Sequence, residues 1–329
     1  MAASGRTLAS MAPPASVAPA MRRLLYVAAL LVFLAGVQLF VFPLRTDRYF
    51  AWTIDSPMTA VFLGASYWSA VGLEVGAARA ARWSDARIAV PAVFVFTTVT
   101  LVVTLVHLDS FHLDGDLPLG TRAVTWAWLA IYAAVPVLMV AATIAQRRES
   151  TAVPVPGGLP GAVRAVLVAL AAVLLGLGVA LLVAPGWADG AWPWPLTPLT
   201  GRAVGAWLVG LGTAAAHARL LDDRASLRPL GITGVVFGVL QIVALARHGE
   251  ELDWGSAPAA GYLAVLAVLS LVSAWSLLPS PLRRRRRGAD TTTAQSRRPD
   301  TPGYQATDTH GHLEGDHRDA AVTDHMRDD

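Results

Sequence analysis

Eight apolar stretches, each long enough to cross a lipid bilayer as a helix, dominate the sequence. A hydrocarbon core of about 30 Å is crossed by roughly 20 helical residues. Most of the stretches are apolar on every side, which indicates that lipid or other helices surround them. They run over 24–42, 57–77, 88–107, 122–145, 162–184, 203–221, 229–246 and 260–278. The sequence therefore predicts an all-α integral membrane protein of eight transmembrane helices.

The composition agrees with that fold and excludes several kinds of chemistry. Hydrophobic residues make up 54% of the chain and charged residues 15%, against about 25% charged residues in a typical soluble domain. The absence of cysteine excludes disulfides, thiolate metal sites, iron–sulfur clusters and cysteine nucleophiles. The sequence has no Walker loop, HExxH, GxSxG or dinucleotide fingerprint. Whether the chain is an enzyme stays open, with a non-catalytic role favoured.

The arginines alternate between the two ends of successive stretches. One end holds Arg22, Arg23, Arg79, Arg82, Arg87, Arg147, Arg148, Arg164, Arg219, Arg224, Arg228 and Arg283 to Arg287, and the other holds Arg45, Arg48, Arg122, Arg202 and Arg247. Arginine near a membrane end is retained on the cytoplasmic side. We therefore expect a multi-pass protein of the inner (plasma) membrane with the N and C termini in the cytoplasm.

The two ends of the chain are polar, and we expect both to be disordered. Residues 1–21 precede the first apolar stretch, and either Met1 or Met21 could be the start. Because no small-x-small cleavage pattern follows that stretch, a signal anchor is favoured over a cleaved signal peptide. Residues 281–329 form a cytoplasmic tail. Its block Arg283 to Arg287 is expected to bind anionic lipid, at about 1 kcal/mol per residue near the surface, and no nucleic acid.

Residues 22–150 and 162–280 match as two four-helix repeats joined by a cytoplasmic linker, 151–161. Anchor residues fall into register at an offset of 141 or 142 residues: Pro43 with Pro185, Trp52 with Trp194, Thr59 with Thr200, Ser84 with Ser226, Arg87 with Arg228, His107 with His248 and Asp109 with Glu250. Because each unit has an even number of helices, both halves run in the same direction. The sequence thus predicts two parallel repeats related by a pseudo-twofold axis along the membrane normal.

Part of the first repeat resembles uncharacterised multi-pass membrane proteins of high-GC bacteria. The resemblance is carried by Trp52, Ile54, Pro57, Thr59-Ala60, Leu63-Gly64-Ala65 and Tyr67, followed by His107-Leu108-Asp109-Ser110-Phe111-His112. It covers the membrane region only. It implies the multi-pass architecture and no particular function.

Two clusters of histidine and acidic residues follow the third and seventh stretches. The first contains His107, Asp109 and His112, and the second contains His248, Glu250 and Asp253. Imidazole with carboxylate suits Zn²⁺ and related divalent ions, and histidine can also pass protons near neutral pH. Because the spacing fits no established metal motif, solvated loops or helix caps at the outer membrane surface are the competing interpretation.

Glu74 and His217 are ionisable side chains inside the second and sixth stretches, at nearly matching repeat positions. A membrane path for a transported solute is one interpretation of such residues. Both residues also lie near the cytoplasmic end of their stretch, where a long side chain can reach the interface and Glu74 could meet Arg79 or Arg82.

Three functions are consistent with these features. The parallel repeat favours a small-molecule or ion binder or transporter. The scarcity of charge inside the membrane is also typical of a non-catalytic scaffold or accessory subunit. The third, a metal-dependent membrane enzyme, depends only on the two outer His and acid clusters.

Overall fold

The computed structural model describes residues 16–149 and 158–278, which form eight long α-helices joined by short connections. The helices are α1 (Pro19–Gly36, prolonged by a π-helical turn over Val37–Val41), α2 (Pro57–Arg79), α3 (Ala89–Val106), α4 (Leu119–Glu149), α5 (Gly161–Val183), α6 (Pro198–Leu221), α7 (Arg228–His248) and α8 (Ala257–Leu277). Within these described residues, the same eight segments are long and apolar enough to cross a membrane. The prediction of a polytopic all-α membrane protein is confirmed.

Some predicted features lie outside the described residues. These are positions 1–15 of the N-terminal segment, 150–157 of the linker region, and the tail with its block Arg283 to Arg287.

Helices α2 and α6 begin with the same local signal. Ser56 and Thr197 are the N-cap residues, and the side-chain oxygen of each accepts a hydrogen bond from a backbone N–H three residues later, Thr59 in one case and Thr200 in the other. Such a bond satisfies a backbone donor that has no partner inside the helix. A proline follows each cap at the first helical position, where its fixed φ and missing N–H are tolerated.

Helices α2 and α6 lie at the centre of the bundle. Helix α1 packs on α2 and α5 on α6, α7 packs on α2 and α3 on α6, and α4 and α8 cover α3 and α7. Accordingly 72% of the α2 span and 61% of the α6 span are buried, against 6% of the α8 span. The polar side chains carried by α2 and α6 are therefore held away from lipid.

Two glycines allow the closest of these approaches. A Cβ atom at Gly64 of α2 would lie 2.6 Å from the backbone nitrogen of Phe40 in α1, and one at Gly205 of α6 would lie 2.8 Å from the carbonyl oxygen of Gly178 in α5. Backbone cannot move aside as the end of a flexible side chain can. Small residues at these positions are what membrane helix contacts require.

Candidate functional site

A cavity of about 120 Å³ lies among α1, α2, α3, α4, α6 and α7. Aromatic and aliphatic side chains form most of its wall. The aromatic members are Tyr67, Phe96, Trp128, Tyr132 and Trp207, and the polar members include Ser69, Glu74, Thr97 and Thr233. A concave, largely apolar space with a few polar groups is the usual form of a small-molecule site.

The carboxyl group of Glu74 is buried at this cavity, with 2% of the residue exposed. Its Oε2 atom has no hydrogen-bond partner among the described residues, and the same is true of Oγ1 of Thr233, which also lines the cavity. The arginine contact expected for Glu74 is not formed within the described part of the chain: Arg79 is exposed and Arg82 pairs with Asp85 at 3.2 Å. Burying an unpaired charge is costly, so this carboxyl is unlike an ordinary interfacial one.

The neighbouring hydroxyl groups do not satisfy Glu74. Ser69 donates to the carbonyl oxygen of Ser66 at 2.7 Å, and Thr97 donates to that of Val93 at 2.8 Å. The hydroxyl oxygens of Tyr67 and Tyr132 lie 2.7 Å apart and share a hydrogen bond. Glu74 and Thr233 are thus left with hydrogen-bonding capacity facing the cavity.

His217, the other residue proposed for a membrane path, lies elsewhere. Its Nδ1 atom is 3.4 Å from the carbonyl oxygen of Ile88, and among the described residues it does not line the Glu74 cavity. The structure does not bring the two together. A path through both would need further groups between them.

The first His and acid cluster is held by hydrogen bonds that make no use of a metal. Arg202 donates through Nη1 to Nε2 of His107 at 2.7 Å. Burial, assisted by the Arg202 guanidinium, holds the pKa of His107 below its ordinary value of 6.5. His112 donates through Nδ1 to the carbonyl oxygen of Phe50, and its Nε2 lies 3.0 Å from Oγ1 of Thr53. Asp109 is exposed.

The second cluster is looser. Nδ1 of His248 lies 3.9 Å from Oε1 of Glu250, whose side chain is 75% exposed. Asp253 accepts a hydrogen bond from the backbone N–H of Gly255. Across residues 16–149 and 158–278, no group of three or more His, Cys, Asp or Glu side chains is arranged to hold a metal ion. The metal site therefore stays a prediction.

The sequence pointed to Glu74 but not to the residues around it. Tyr67 lies seven residues before Glu74 on the same face of α2, and Trp128 and Tyr132 are four residues apart on α4; both spacings place side chains together on a helix. Thr233 and Trp207 come from distant helices, and no local pattern relates them to Glu74.

No family model, curated protein or solved structure matches this chain.

Proposed function

We propose that this polytopic membrane protein is a small-molecule or ion binder or transporter, and that the Glu74 cavity is its binding site. The observation that carries the proposal is the buried, unpartnered Oε2 of Glu74 at the cavity wall. An ionisable group held inside a membrane bundle is costly and is usually retained for binding or transport.

We also propose that the bundle consists of two parallel four-helix repeats. The packing pattern supports it, because the main helix contacts of one half have counterparts in the other: α1 with α2 corresponds to α5 with α6, and α3 with α4 corresponds to α7 with α8. So do two backbone hydrogen bonds at corresponding positions, from His112 to Ala51 and from Asp253 to Pro193.

A second cavity, of about 90 Å³, supports the same proposal. It lies among α5, α6, α7 and α8. Adding 141 to the positions of Glu74, Phe96, Trp128 and Tyr132 gives Ala215, Phe237, Leu269 and Ser273, and all four line this second cavity. The second half therefore offers a comparison within one molecule: its cavity is built without a carboxyl group, so the packing of such a half does not require one.

Reconstitution in liposomes tests the proposed function. We expect a flux or saturable uptake of a small solute that Glu74→Gln lowers at least about tenfold, because the variant removes the one carboxyl group that lines the cavity among the described residues and hydrogen bonds to charged groups contribute about 1.5–3 kcal/mol. Asp55→Asn, at an exposed carboxyl group, should leave it unchanged. The absence of flux and of binding under every gradient would overturn the proposal, and a stoichiometric protein partner co-purified in mild detergent would then favour the scaffold function.

The proposed orientation, with both termini in the cytoplasm of a plasma-membrane protein, is tested by cysteine labelling. The chain has no cysteine of its own, so each introduced thiol reports without background. An impermeant maleimide applied to intact cells should label Asp109→Cys, and it should label Arg82→Cys only after permeabilisation. The reverse pattern would invert the topology.

A further inference from the structure

We infer that the Glu74 cavity binds a small organic cation, with an alkylammonium group held between the Glu74 carboxylate and the surrounding aromatic rings. The inference rests on the proposed function, since it names the ligand class of the same site. It specifies in addition that the ligand carries one positive charge and is weakly hydrated.

The charge of the ligand follows from what surrounds Glu74. The residues that line the cavity include no arginine or histidine, and Oε2 has no donor among the described residues. An ionised carboxylate in a medium of low dielectric constant is stabilised strongly by a cation in contact with it. A ligand with one positive charge therefore supplies what this part of the chain lacks.

The aromatic wall is suited to a weakly hydrated cation. The ring of Trp207 lies 4.0 Å from that of Phe96 and 4.9 Å from that of Tyr67, and the rings of Trp128 and Tyr132 lie 4.4 Å apart, each measured between centroids. All five side chains line the cavity. Aromatic faces, tryptophan above all, attract ammonium groups, and cages of such rings bind quaternary ammonium ligands.

A hard metal cation fits this wall less well. Calcium takes six to eight oxygen ligands, and magnesium requires near-octahedral oxygen coordination. Here one carboxylate and scattered hydroxyls stand among aromatic and aliphatic side chains. A dehydrated metal ion would lose more water contacts than the wall replaces, whereas an alkylammonium ion brings its own apolar surface.

The second cavity marks which side chains distinguish this site. At the matching positions Glu74, Trp128 and Tyr132 are replaced by Ala215, Leu269 and Ser273, while Phe96 is matched by Phe237. The carboxylate and the two aromatic side chains of α4, Trp128 and Tyr132, thus have no counterpart in the second cavity. The carboxylate and these aromatic rings, the two kinds of group that would contact an ammonium ion, are therefore absent together. Independent changes in an apolar wall would not be expected to remove both.

The size of the cavity limits the ligand. Its volume of about 120 Å³ is close to that of an apolar protein cavity of roughly 150 Å³ that holds a benzene-sized molecule. A cation of a few heavy atoms fits such a space.

The experiment uses the full chain in lipid nanodiscs and titrates it calorimetrically with alkylammonium ions, from methylammonium to tetraethylammonium. Uncharged tert-butanol serves as the size-matched comparison. We expect saturable binding of at least one ammonium ion, no saturable binding of tert-butanol, and an affinity at least about thirtyfold lower in Glu74→Gln. Asp55→Asn, at an exposed carboxyl group outside the cavity, should bind as the wild type does.

Trp128→Leu and Tyr132→Ser provide independent variants, because the second half already holds leucine and serine at the matching positions. Each variant should fold and should bind ammonium ions more weakly, and tert-butanol should still show no saturable binding. If Glu74→Gln fails to fold, these two variants decide the result.

The outcomes separate this inference from the proposed function. Equal binding of charged and uncharged probes, or unchanged ammonium affinity in Glu74→Gln, overturns the inference that the ligand is an organic cation. If an uncharged solute or a metal ion binds and Glu74→Gln abolishes that binding, the Glu74 cavity is a binding site but its ligand is not an organic cation. If no solute of any class binds or is transported, both proposals fall.

Discussion

Glu74 carries a buried oxygen without a hydrogen-bond partner among the described residues, and the proposed repeat matches its position to Ala215. Both residues lie on a central helix and line a cavity, but only Glu74 brings a carboxyl group to it. A group that a fold does not need, and that costs free energy to bury, is retained for what it binds.

This interpretation predicts a gain in stability when the carboxyl is removed. We expect Glu74→Leu to raise the melting temperature of the detergent-solubilised protein, because an unsatisfied buried polar group costs about 1–3 kcal/mol. The same variant should lose ligand binding. Thermal unfolding followed by circular dichroism measures the change, and a clear fall in melting temperature would mean that the carboxylate has a stabilising partner.

His107 makes the stability of the bundle depend on pH. Its folded-state pKa lies below 6.5, so the unfolded chain takes up the proton at a higher pH than the folded protein does. In the folded protein, a protonated His107 would be repelled by the guanidinium of Arg202. The stabilising contribution is complete above a pH of about 6.5 and is lost as pH falls through the lower folded-state pKa. Melting temperatures at neutral and mildly acidic pH should diverge less in His107→Gln than in the wild type.

Helix boundaries were predictable from the sequence to within a few residues, apart from two starts. The prediction began the first and sixth spans at 24 and 203, whereas the helices begin at Pro19 and Pro198. The apolar run marks where a helix is buried in lipid, but the proline at the first helical position marks where its backbone begins. Thr197 and Pro198 are the N-cap and first residue of α6, and this pair of residue types in the sequence indicates a helix start.

Glu251 contributes to the capping of α2 from a distant part of the chain. Its carboxylate accepts hydrogen bonds from Oγ of Ser56 at 2.5 Å and from the backbone N–H of Met58 at 2.8 Å. Nothing in the local sequence relates residue 251 to residue 56, so the sequence could not predict this contact. Glu74 was recognisable as an unusual residue for a membrane helix, whereas its cavity depends on six helices meeting.

We expect Glu251→Ala to lower the free energy of unfolding by about 1–3 kcal/mol, because it leaves the backbone N–H of Met58 and the hydroxyl of Ser56 without their acceptor. The neighbouring Glu250→Ala is the matched control. Since its side chain is 75% exposed, it should change stability by less than about 0.5 kcal/mol. Equal effects of the two substitutions, measured by denaturant unfolding in mixed micelles, would contradict the capping role.

Within the described residues, helices of the first half of the chain pack directly on helices of the second half. Helix α2 packs on α7, and α6 packs on α3; the indole N–H of Trp194 donates to Oγ1 of Thr59 at 2.9 Å. Each central helix is therefore completed by a helix from the opposite half. The two halves should fold as one cooperative unit rather than as separable domains.

The glycine contacts test how alike the halves are. We expect Gly64→Ala and Gly205→Ala to destabilise the protein by similar amounts, about 1–3 kcal/mol each, because the added methyl group meets backbone in both cases. Gly176→Ala is the control, since a Cβ there has nothing within 4 Å and should be neutral or slightly stabilising. A large difference between Gly64→Ala and Gly205→Ala in thermal unfolding would weaken the repeat proposal.

The packing of α2 on α7 also governs how the protein is made. Helix α2 leaves the ribosome long before α7 exists, and translation proceeds at about 5–20 residues per second. For on the order of ten seconds or more, α2 has α1 as a partner helix, but the side of α2 that later packs on α7 has none. That side of α2 therefore stays in contact with lipid or with other membrane proteins until α7 enters the bilayer.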